Sequence, residues 1–136
     1  GRESRHNRKY WVHAPYLGLG PAAHSFTENR RWWNIRSVDG YLGRSAAGQS
    51  PVAGSETLDR QQLMMEALYL GLRCVDGIAV AAFEERFGVD FKALFGPVFT
   101  EYGERGCLEI DNRRCRLTQR GMRFSDGIAA RFIDRL

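Results

Sequence analysis

The C-terminal fold is decided by residues 59–73, which read Asp-Arg-Gln-Gln-Leu-Met-Met-Glu-Ala-Leu-Tyr-Leu-Gly-Leu-Arg. Apolar side chains recur one helical turn apart at Met64, Leu68 and Leu72, which is the spacing of a buried helix face. Asp59, followed three residues later by Gln62, resembles a capping box. The stretch therefore predicts an amphipathic helix that begins near Asp59 and buries a broad face.

Two further helices are predicted directly after the Asp76-Gly77 turn. The first spans Ala79–Phe87 and ends at Gly88, because glycine is favoured just beyond a helix C-terminus. The second is capped by Asp90, and its Gly96-Pro97 pair predicts a kink or a break. Its apolar stripe consists of Phe91, Leu94, Phe95, Val98 and Tyr102.

The last 30 or so residues predict a β-hairpin and a terminal helical segment. Two alternating runs, 107–110 and 114–117, are joined across Asp111-Asn112-Arg113. Thr118 is placed to cap the segment that follows, with an interruption expected at Ser125-Asp126-Gly127. The order helix, helix, helix, hairpin, helix is that of a winged-helix-like domain, so we predict an α+β, mainly helical fold for residues 52–136.

The first 50 residues are rich in glycine and aromatic side chains and lack the pattern of a complete domain. Short strands are expected at Tyr16–Leu19 and Arg31–Ile35. A helix is expected over Val38–Ala47, with Ser37 as its N-cap and Gly48 at its end.

Residues 49–57 crowd Pro, Gly and Ser together without apolar periodicity, which is typical of a linker. We therefore expect a boundary near Val52, with residues 1–51 as the end of something larger and residues 52–136 as a separate domain.

Composition restricts the class of protein. A chain of 136 residues with 43% hydrophobic content is large enough for one modest core. No run approaches the roughly 18 apolar residues of a membrane helix, and residues 1–5 lack the apolar region of a signal peptide. The three cysteines fit neither a disulfide framework nor a C-x-x-C metal pair. These features predict a soluble, cytoplasmic protein without a membrane span.

Charge is segregated along the chain, with net values of +5, −5 and +4 over residues 1–50, 51–110 and 111–136. Basic ends around an acidic middle suggest interdomain pairing as readily as a nucleic-acid surface. The arginines around the hairpin keep a winged-helix nucleic-acid-binding module as the alternative function. The third helix argues against it, because Lys92 and Arg105 are offset there by Asp90, Glu101 and Glu104.

Two motifs in the first 25 residues are candidate binding sites. The run His6-Asn7-Arg8-Lys9-Tyr10-Trp11 puts an imidazole beside aromatic rings. Imidazole binds haem iron and aromatic rings stack on a macrocycle, although an ordinary strand end with half-buried aromatic side chains is the alternative. In the second motif, Gly18, Gly20 and His24 occur where backbone can approach a ligand closely, and a tight bend under a packed strand is the alternative.

Neither motif predicts a metal site or a nucleotide site by itself. His6, His13 and His24 have no acidic or cysteine residue at matching spacing, which argues against a metal site built from them alone. The glycines match neither the dinucleotide fingerprint nor a phosphate loop.

Taken together, these motifs resemble the C-terminal third of oxygen-independent coproporphyrinogen III oxidase relatives, which are radical S-adenosylmethionine (SAM) proteins. The resemblance covers nearly the whole chain. Residues 6–11 match the His-Asn-x-x-Tyr-Trp motif of the haem chaperone branch. The other carriers are Tyr16-Leu17-Gly18-Leu19-Gly20-Pro21, Ala23-His24-Ser25, Arg31-Trp32-Trp33-Asn34, Leu70-Gly71-Leu72-Arg73 and Leu117-Thr118-Gln119-Arg120-Gly121.

The resemblance implies a parent protein with a partial α/β barrel, a 4Fe–4S cluster held by a C-x-x-x-C-x-x-C loop, and bound SAM. That loop does not occur in these 136 residues. Residues 1–51 would then be a strand-containing remnant of the barrel region, and the rest the family's C-terminal helical domain. Of the motif residues, His6 would be the haem-iron ligand, supported by Asn7, Tyr10 and Trp11.

These implications predict a chain that is inactive alone and that shapes a porphyrin or haem site in its parent. The parent would be either an oxygen-independent coproporphyrinogen III dehydrogenase or a haem chaperone derived from it. The expected partners are the N-terminal radical SAM domain, porphyrin or haem, and a haem-recipient protein. We also expect exposed apolar surface within residues 10–35, because Trp11, Trp32 and Trp33 would have packed against barrel strands.

Overall fold

The computed structural model describes residues 14–136. The chain divides into two compact units, Gly1–Asp59 and Arg60–Leu136. The division lies after Asp59 rather than after residue 51, because residues 52–57 pair with the first unit.

The first unit contains a three-stranded antiparallel sheet in the order β1-β2-β3. Its strands are β1 (His24–Thr27), β2 (Arg30–Asn34) and β3 (Val52–Thr57). Trp33 faces Gly54 across the β2–β3 pair, and a Cβ atom at Gly54 would lie 2.7 Å from the indole ring. Glycine is needed there because the indole occupies the space of a side chain.

Two predictions for this unit are wrong. Residues 49–57 are not a linker, since Val52–Thr57 is a full strand whose composition hides its pairing with β2. Tyr16–Leu19 is not a strand either, and only Tyr16 forms a bridge, to Phe26. The chain leaves the ladder after Tyr16 because the amide of Gly18 donates to the Ser25 side chain instead of to a neighbouring backbone.

Helix α1 (Val38–Ala46) confirms the predicted helix and its cap. The Ser37 hydroxyl accepts a hydrogen bond from the Gly40 amide at 3.2 Å, which satisfies one of the unpaired amides of the first turn. None of the side chains on α1 is buried. The helix therefore leaves its apolar residues at the surface of the unit.

The second unit begins with three helices, α2 (Arg60–Arg73), α3 (Val80–Phe87) and α4 (Phe91–Glu104). The predicted apolar face of α2 is confirmed, with Met64, Leu68 and Leu72 buried. Gly88 ends α3 in the left-handed conformation at φ 60°, as the sequence predicts. Asp90 caps α4 by accepting from the Ala93 amide at 2.8 Å.

Of the kink or break expected in α4 at Gly96-Pro97, the break does not occur, since the helix runs without interruption from Phe91 to Glu104. Pro97 is exposed, whereas Phe95 and Val98 on either side of it are buried in the core. Burial of these two neighbours holds the helix together across the backbone hydrogen bond that proline cannot make.

The predicted hairpin is confirmed as β5 (Leu108–Ile110) and β6 (Arg114–Leu117). Asp111 tightens the turn by accepting from the amides of Arg113 at 2.6 Å and Arg114 at 2.7 Å. A strand that the sequence did not predict, β4 (Ile78–Ala79), pairs with β6 and completes a second sheet in the order β4-β6-β5. Two residues are too short a run to show a strand period.

Two helices, α5 (Gln119–Met122) and α6 (Ser125–Ile133), complete the second unit. The Thr118 hydroxyl caps α5 through the Gly121 amide at 3.0 Å, as predicted. An interruption of the terminal helical segment is found, but two residues earlier than expected: the break lies at residues 123–124, and residues 125–127 open α6. Ser125, Asp126 and Gly127 form the first turn of α6, where an acidic residue such as Asp126 is favoured.

Phenylalanine dominates the core of the second unit. Phe91, Phe95 and Phe132 are fully buried. Their rings interlock, with centroid distances of 4.9 Å for both Phe91–Phe95 and Phe95–Phe132. Offset and edge-on ring pairs add to the free energy gained by burial.

The α+β class with a mainly helical C-terminal part is confirmed. The winged-helix likeness stays a prediction, because element order by itself does not define that fold. Within residues 14–136, no helix is both long and apolar enough to cross a membrane.

Candidate functional site

The proposed haem-binding motif lies outside the described residues. His6, Asn7, Tyr10 and Trp11 all fall within residues 1–13, so their role stays a prediction. The three positions of the second motif, Gly18, Gly20 and His24, are described and lie in or next to the loop that leads into β1.

Gly18 lies directly under β1. A Cβ atom at this position would lie 2.2 Å from the carbonyl oxygen of His24, so only glycine fits without moving the backbone. The Gly18 amide donates to the Ser25 hydroxyl at 3.0 Å, and Ser25 is itself almost fully buried. Gly18 is thus required for close packing within its own unit, which is the tight bend that the sequence offered as an alternative.

Gly20 is held from two sides. Its amide donates to the Tyr41 hydroxyl on α1 at 3.2 Å, and its carbonyl accepts from the Asn34 side-chain amide on β2 at 3.0 Å. Its φ of 102° belongs to the region that favours glycine. The loop is therefore fixed in place by β2 and α1, and the polar groups named here already have partners within the unit.

His24 begins β1 with its side chain exposed. Its imidazole lies beside the indole of Trp33, with ring centroids 6.0 Å apart and an angle of 32° between the ring planes. The two residues face each other across the β1–β2 pair. An exposed imidazole beside a half-buried indole can contact a flat aromatic ligand by stacking.

Four exposed apolar side chains lie on the glycine loop and on α1, which the Gly20–Tyr41 hydrogen bond joins, and we call them the loop–helix patch. It comprises Leu17 (70% exposed) and Leu19 (82%) on the loop, and Val38 (59%) and Leu42 (58%) on α1. Exposed apolar surface is thus found within residues 10–35 on Leu17 and Leu19, whereas Trp32 and Trp33 are half-buried and Trp11 lies outside the described residues.

The described residues do not fit an iron–sulfur cluster. Among residues 14–136, no group of three or more His, Cys, Asp or Glu side chains is arranged to hold a metal ion. Cys107 and Cys115 are buried, and burial raises the pKa of Cys115 to about 12. Its thiol therefore stays protonated at neutral pH, whereas a metal ligand must be a thiolate.

A cavity of about 310 Å³ opens in the second unit, between the end of α4, the segment that leads into β5, and helices α5 and α6. It is lined mainly by Tyr102, Arg105, Cys107, Arg120, Phe124 and Ile128. Of these positions, the sequence pointed only to Arg120, as one of the basic residues around the hairpin that suggest nucleic-acid binding, because the lining residues are scattered over three helices and the segments that connect them.

Sequence reasoning also missed the side chains that fix the glycine loop. Ser25, Asn34 and Tyr41 are separated along the chain, and the first two are the buried polar residues of the described part. In the sequence, Asn34 is notable only as the end of the run Arg31-Trp32-Trp33-Asn34. A polar residue at the end of an apolar strand was the available signal, since buried polar groups must find partners.

Comparison with known proteins places the second unit in a defined class of domain. Residues 58–124 match the family described as the HemN C-terminal domain. The chain therefore contains a segment of the HemN C-terminal domain type, and the resemblance inferred from its motifs is confirmed.

The similar curated proteins are haem chaperones. The chain is 31% identical over 133 residues to Heme chaperone HemW of Lactococcus lactis, covering 98% of the chain and 35% of that protein. It is 27% identical to Heme chaperone HemW of Bacillus subtilis, covering 100% and 36%. For Heme chaperone HemW of Mycobacterium tuberculosis the identity is 32%, covering 94% and 31%. The chain thus spans about a third of the length of these relatives.

A solved structure shares the fold. Coproporphyrinogen III oxidase (HemN) from Escherichia coli, described as a radical SAM enzyme, superposes with a TM-score of 0.64 and 17% identity. The match covers 90% of this chain and 29% of that protein. The described residues therefore have the architecture of part of HemN.

Proposed function

We propose that this chain is the non-catalytic C-terminal part of a coproporphyrinogen III oxidase-like radical SAM protein of the cytoplasm. There it shapes a porphyrin or haem site that serves tetrapyrrole biosynthesis or haem delivery. The observation that carries the proposal is the 31% identity to a Heme chaperone HemW over 98% of the chain. The His-Asn-x-x-Tyr-Trp match at residues 6–11 favours haem delivery over oxidation.

In this proposal His6 is the haem-iron ligand, with Asn7, Tyr10 and Trp11 around it. Imidazole is the commonest protein ligand of haem iron, and aromatic rings stack on the macrocycle. The rigid loop of Gly18 and Gly20 and the exposed His24 form a second wall of the site. Its hydrogen bonds to Tyr41 and Asn34 support this, because a pre-organised wall loses little conformational entropy on binding.

The catalytic cofactors belong to another part of the longer protein. A 4Fe–4S cluster and SAM would supply radical chemistry there, and the described residues of this chain do not fit such a cluster. The loop–helix patch supports a contact with the radical SAM domain, since apolar side chains that stay exposed in an isolated unit mark an interaction surface. A haem-recipient protein completes the proposed set of partners.

Haem titration of the longer protein tests the proposal. We expect His6→Ala to change the Soret band and to weaken haem binding by at least about tenfold, as loss of a metal-site residue does. His13→Ala is the matched control, because it removes a nearby imidazole that lies outside the motif. His24→Ala tests the second wall and should weaken binding without changing the iron ligation.

Two results would contradict the proposal at different levels. An unchanged Soret band and affinity in His6→Ala would remove His6 as the iron ligand. If the unmodified longer protein bound neither haem nor coproporphyrin, the porphyrin site itself would be wrong.

The nucleic-acid alternative is not favoured by the contacts of the second unit. Arg116 on β6 pairs with Glu109 at 2.9 Å, and Lys92 on α4 bonds to Asn112 at 2.8 Å. Glu101 on the same helix is paired with Arg131 at 3.5 Å. These basic groups are engaged within the unit, and we do not propose binding to nucleic acid.

A further inference from the structure

The cavity of the second unit combines an apolar floor with a free cationic group at its edge. Ile128 and Cys107 form the floor and are buried, with exposed fractions of 0% and 4%. Phe124 stands at the rim with 57% of its surface exposed, and Tyr102 is half-buried on another side. A large aromatic side chain left exposed beside an apolar hollow is typical of a ligand site.

The two arginines that line the cavity differ in their engagement. Arg105 lies over the Tyr102 ring, with 5.3 Å from its guanidinium carbon to the ring centroid, and pairs with Glu101 at 3.5 Å. Within the described part of the chain, the Arg120 guanidinium has neither an ion pair nor a hydrogen bond, and it is exposed. Arg120 is thus the group with its donors available to a ligand.

No carboxylate competes for Arg120 inside the cavity, as judged from residues 14–136. Asp126, which lines a neighbouring shallow pocket, is engaged by Arg73 on α2. A guanidinium presents paired donors that match a carboxylate or sulfonate, and such charge-assisted hydrogen bonds are stronger than neutral ones. The electrostatics therefore favour an anion at the rim.

We propose that this cavity binds a small amphipathic anion, with its flat apolar body between Tyr102 and Phe124 over Ile128, and its acid group paired with Arg120. The volume of about 310 Å³ lies at the lower end of the range for small-molecule pockets. The site contains no residue of the haem motif, so this proposal can be correct or wrong independently of the proposed haem function.

The test is a fluorescence titration of the full 136-residue chain with anilinonaphthalene sulfonate, a flat aromatic anion. Its neutral counterpart, phenylnaphthylamine, has the same aromatic body without the acid group. We expect the sulfonate to bind about tenfold more tightly than the amine, and Arg120→Gln to remove most of that difference. Binding of the amine should change by less than about twofold, since the apolar body keeps its contacts.

Two variants make the result specific. Arg113→Gln removes an exposed arginine of the hairpin outside the cavity and should leave both affinities unchanged. Gly127→Leu adds bulk at the cavity edge, where a Cβ atom meets nothing within 4 Å, so it should preserve folding and weaken both ligands. Helical circular dichroism of each variant confirms the fold.

Two outcomes would overturn the proposal. Equal loss of sulfonate binding in Arg120→Gln and Arg113→Gln would mean that net charge, and not this site, attracts the dye. Equal affinity for the sulfonate and the amine would mean that Arg120 binds no acid group. His6→Ala should leave the dye affinity unchanged, which separates this test from that of the haem site.

Discussion

The two units of the chain are stabilised in different ways. The second unit buries a continuous apolar cluster around Phe91, Phe95 and Phe132. The first unit instead fixes its glycine loop through hydrogen bonds that the loop amides donate to Ser25 and Tyr41 and through one that Asn34 donates to the loop, while four apolar side chains stay exposed in the loop–helix patch.

This difference indicates different roles. The second unit has a continuous core of its own, whereas the described part of the first unit buries fewer apolar side chains and offers the loop–helix patch to a neighbouring segment. The chain spans about a third of its curated relatives, and such a neighbour is part of the proposed function. Substitutions at three positions test the contrast, from the largest expected effect to the smallest.

Phe95→Ala should have the largest effect, because the ring is fully buried and contacts other aromatic rings. Truncating a buried phenylalanine costs about 3–5 kcal/mol, a large share of the stability of a domain. Urea unfolding followed by helical circular dichroism measures the loss. Phe124→Ala is the control, because its side chain is mostly exposed and the change should cost less than about 0.5 kcal/mol. Similar costs for the two variants would contradict a buried phenylalanine core.

Gly18→Ala should have the next largest effect, and its effect should be confined to the first unit. The new Cβ atom would lie 2.2 Å from the His24 carbonyl oxygen, so the loop must shift, at a cost of about 1–3 kcal/mol. Tryptophan fluorescence measures this unit selectively, since all three tryptophans, at positions 11, 32 and 33, lie within it.

The matched control for Gly18→Ala is Gly43→Ala in α1, where a Cβ atom meets nothing within 4 Å. Replacing a helical glycine by alanine stabilises by roughly 0.5–1 kcal/mol. The two substitutions should therefore have opposite signs. The same sign for both would mean that the loop is not packed against β1 as described.

Asp111 should give the smallest effect, seen as a dependence of stability on pH. Backbone hydrogen bonds from Arg113, and then from Arg114, hold the pKa of its carboxyl below the usual value. Because the folded-state pKa lies below the unfolded-state pKa of about 4, the ionised Asp111 carboxyl stabilises the hairpin fully at pH values above the unfolded-state pKa. This stabilisation is lost as the pH falls through the folded-state pKa.

The measurement is thermal unfolding of the chain and of Asp111→Asn between neutral pH and about pH 2. The difference between them should be largest near neutral pH and should shrink on acidification, because asparagine does not titrate. A difference that is independent of pH would contradict ionisation of Asp111 as its source.

The sequence by itself determined most of the helices of the second unit. Periodic apolar residues and local caps, such as Asp90 and Thr118, act within one or two turns, so they can be identified without knowing the rest of the fold. The motifs of residues 6–33 likewise indicate the family through residue identity and spacing alone. The same local signals place the hairpin correctly, since its two runs and its turn are contiguous.

Only the tertiary structure decided the features that depend on distant partners. Strand β3 forms because it pairs with β2, whereas its composition alone predicted a linker. Helix α4 continues through Pro97 because Phe95 and Val98 are buried on either side of it. The cavity at Arg120 joins residues from three helices and the segments that connect them. In each case the feature is stabilised by contacts between residues that pack together only in the folded structure, and a local sequence pattern does not reveal such contacts.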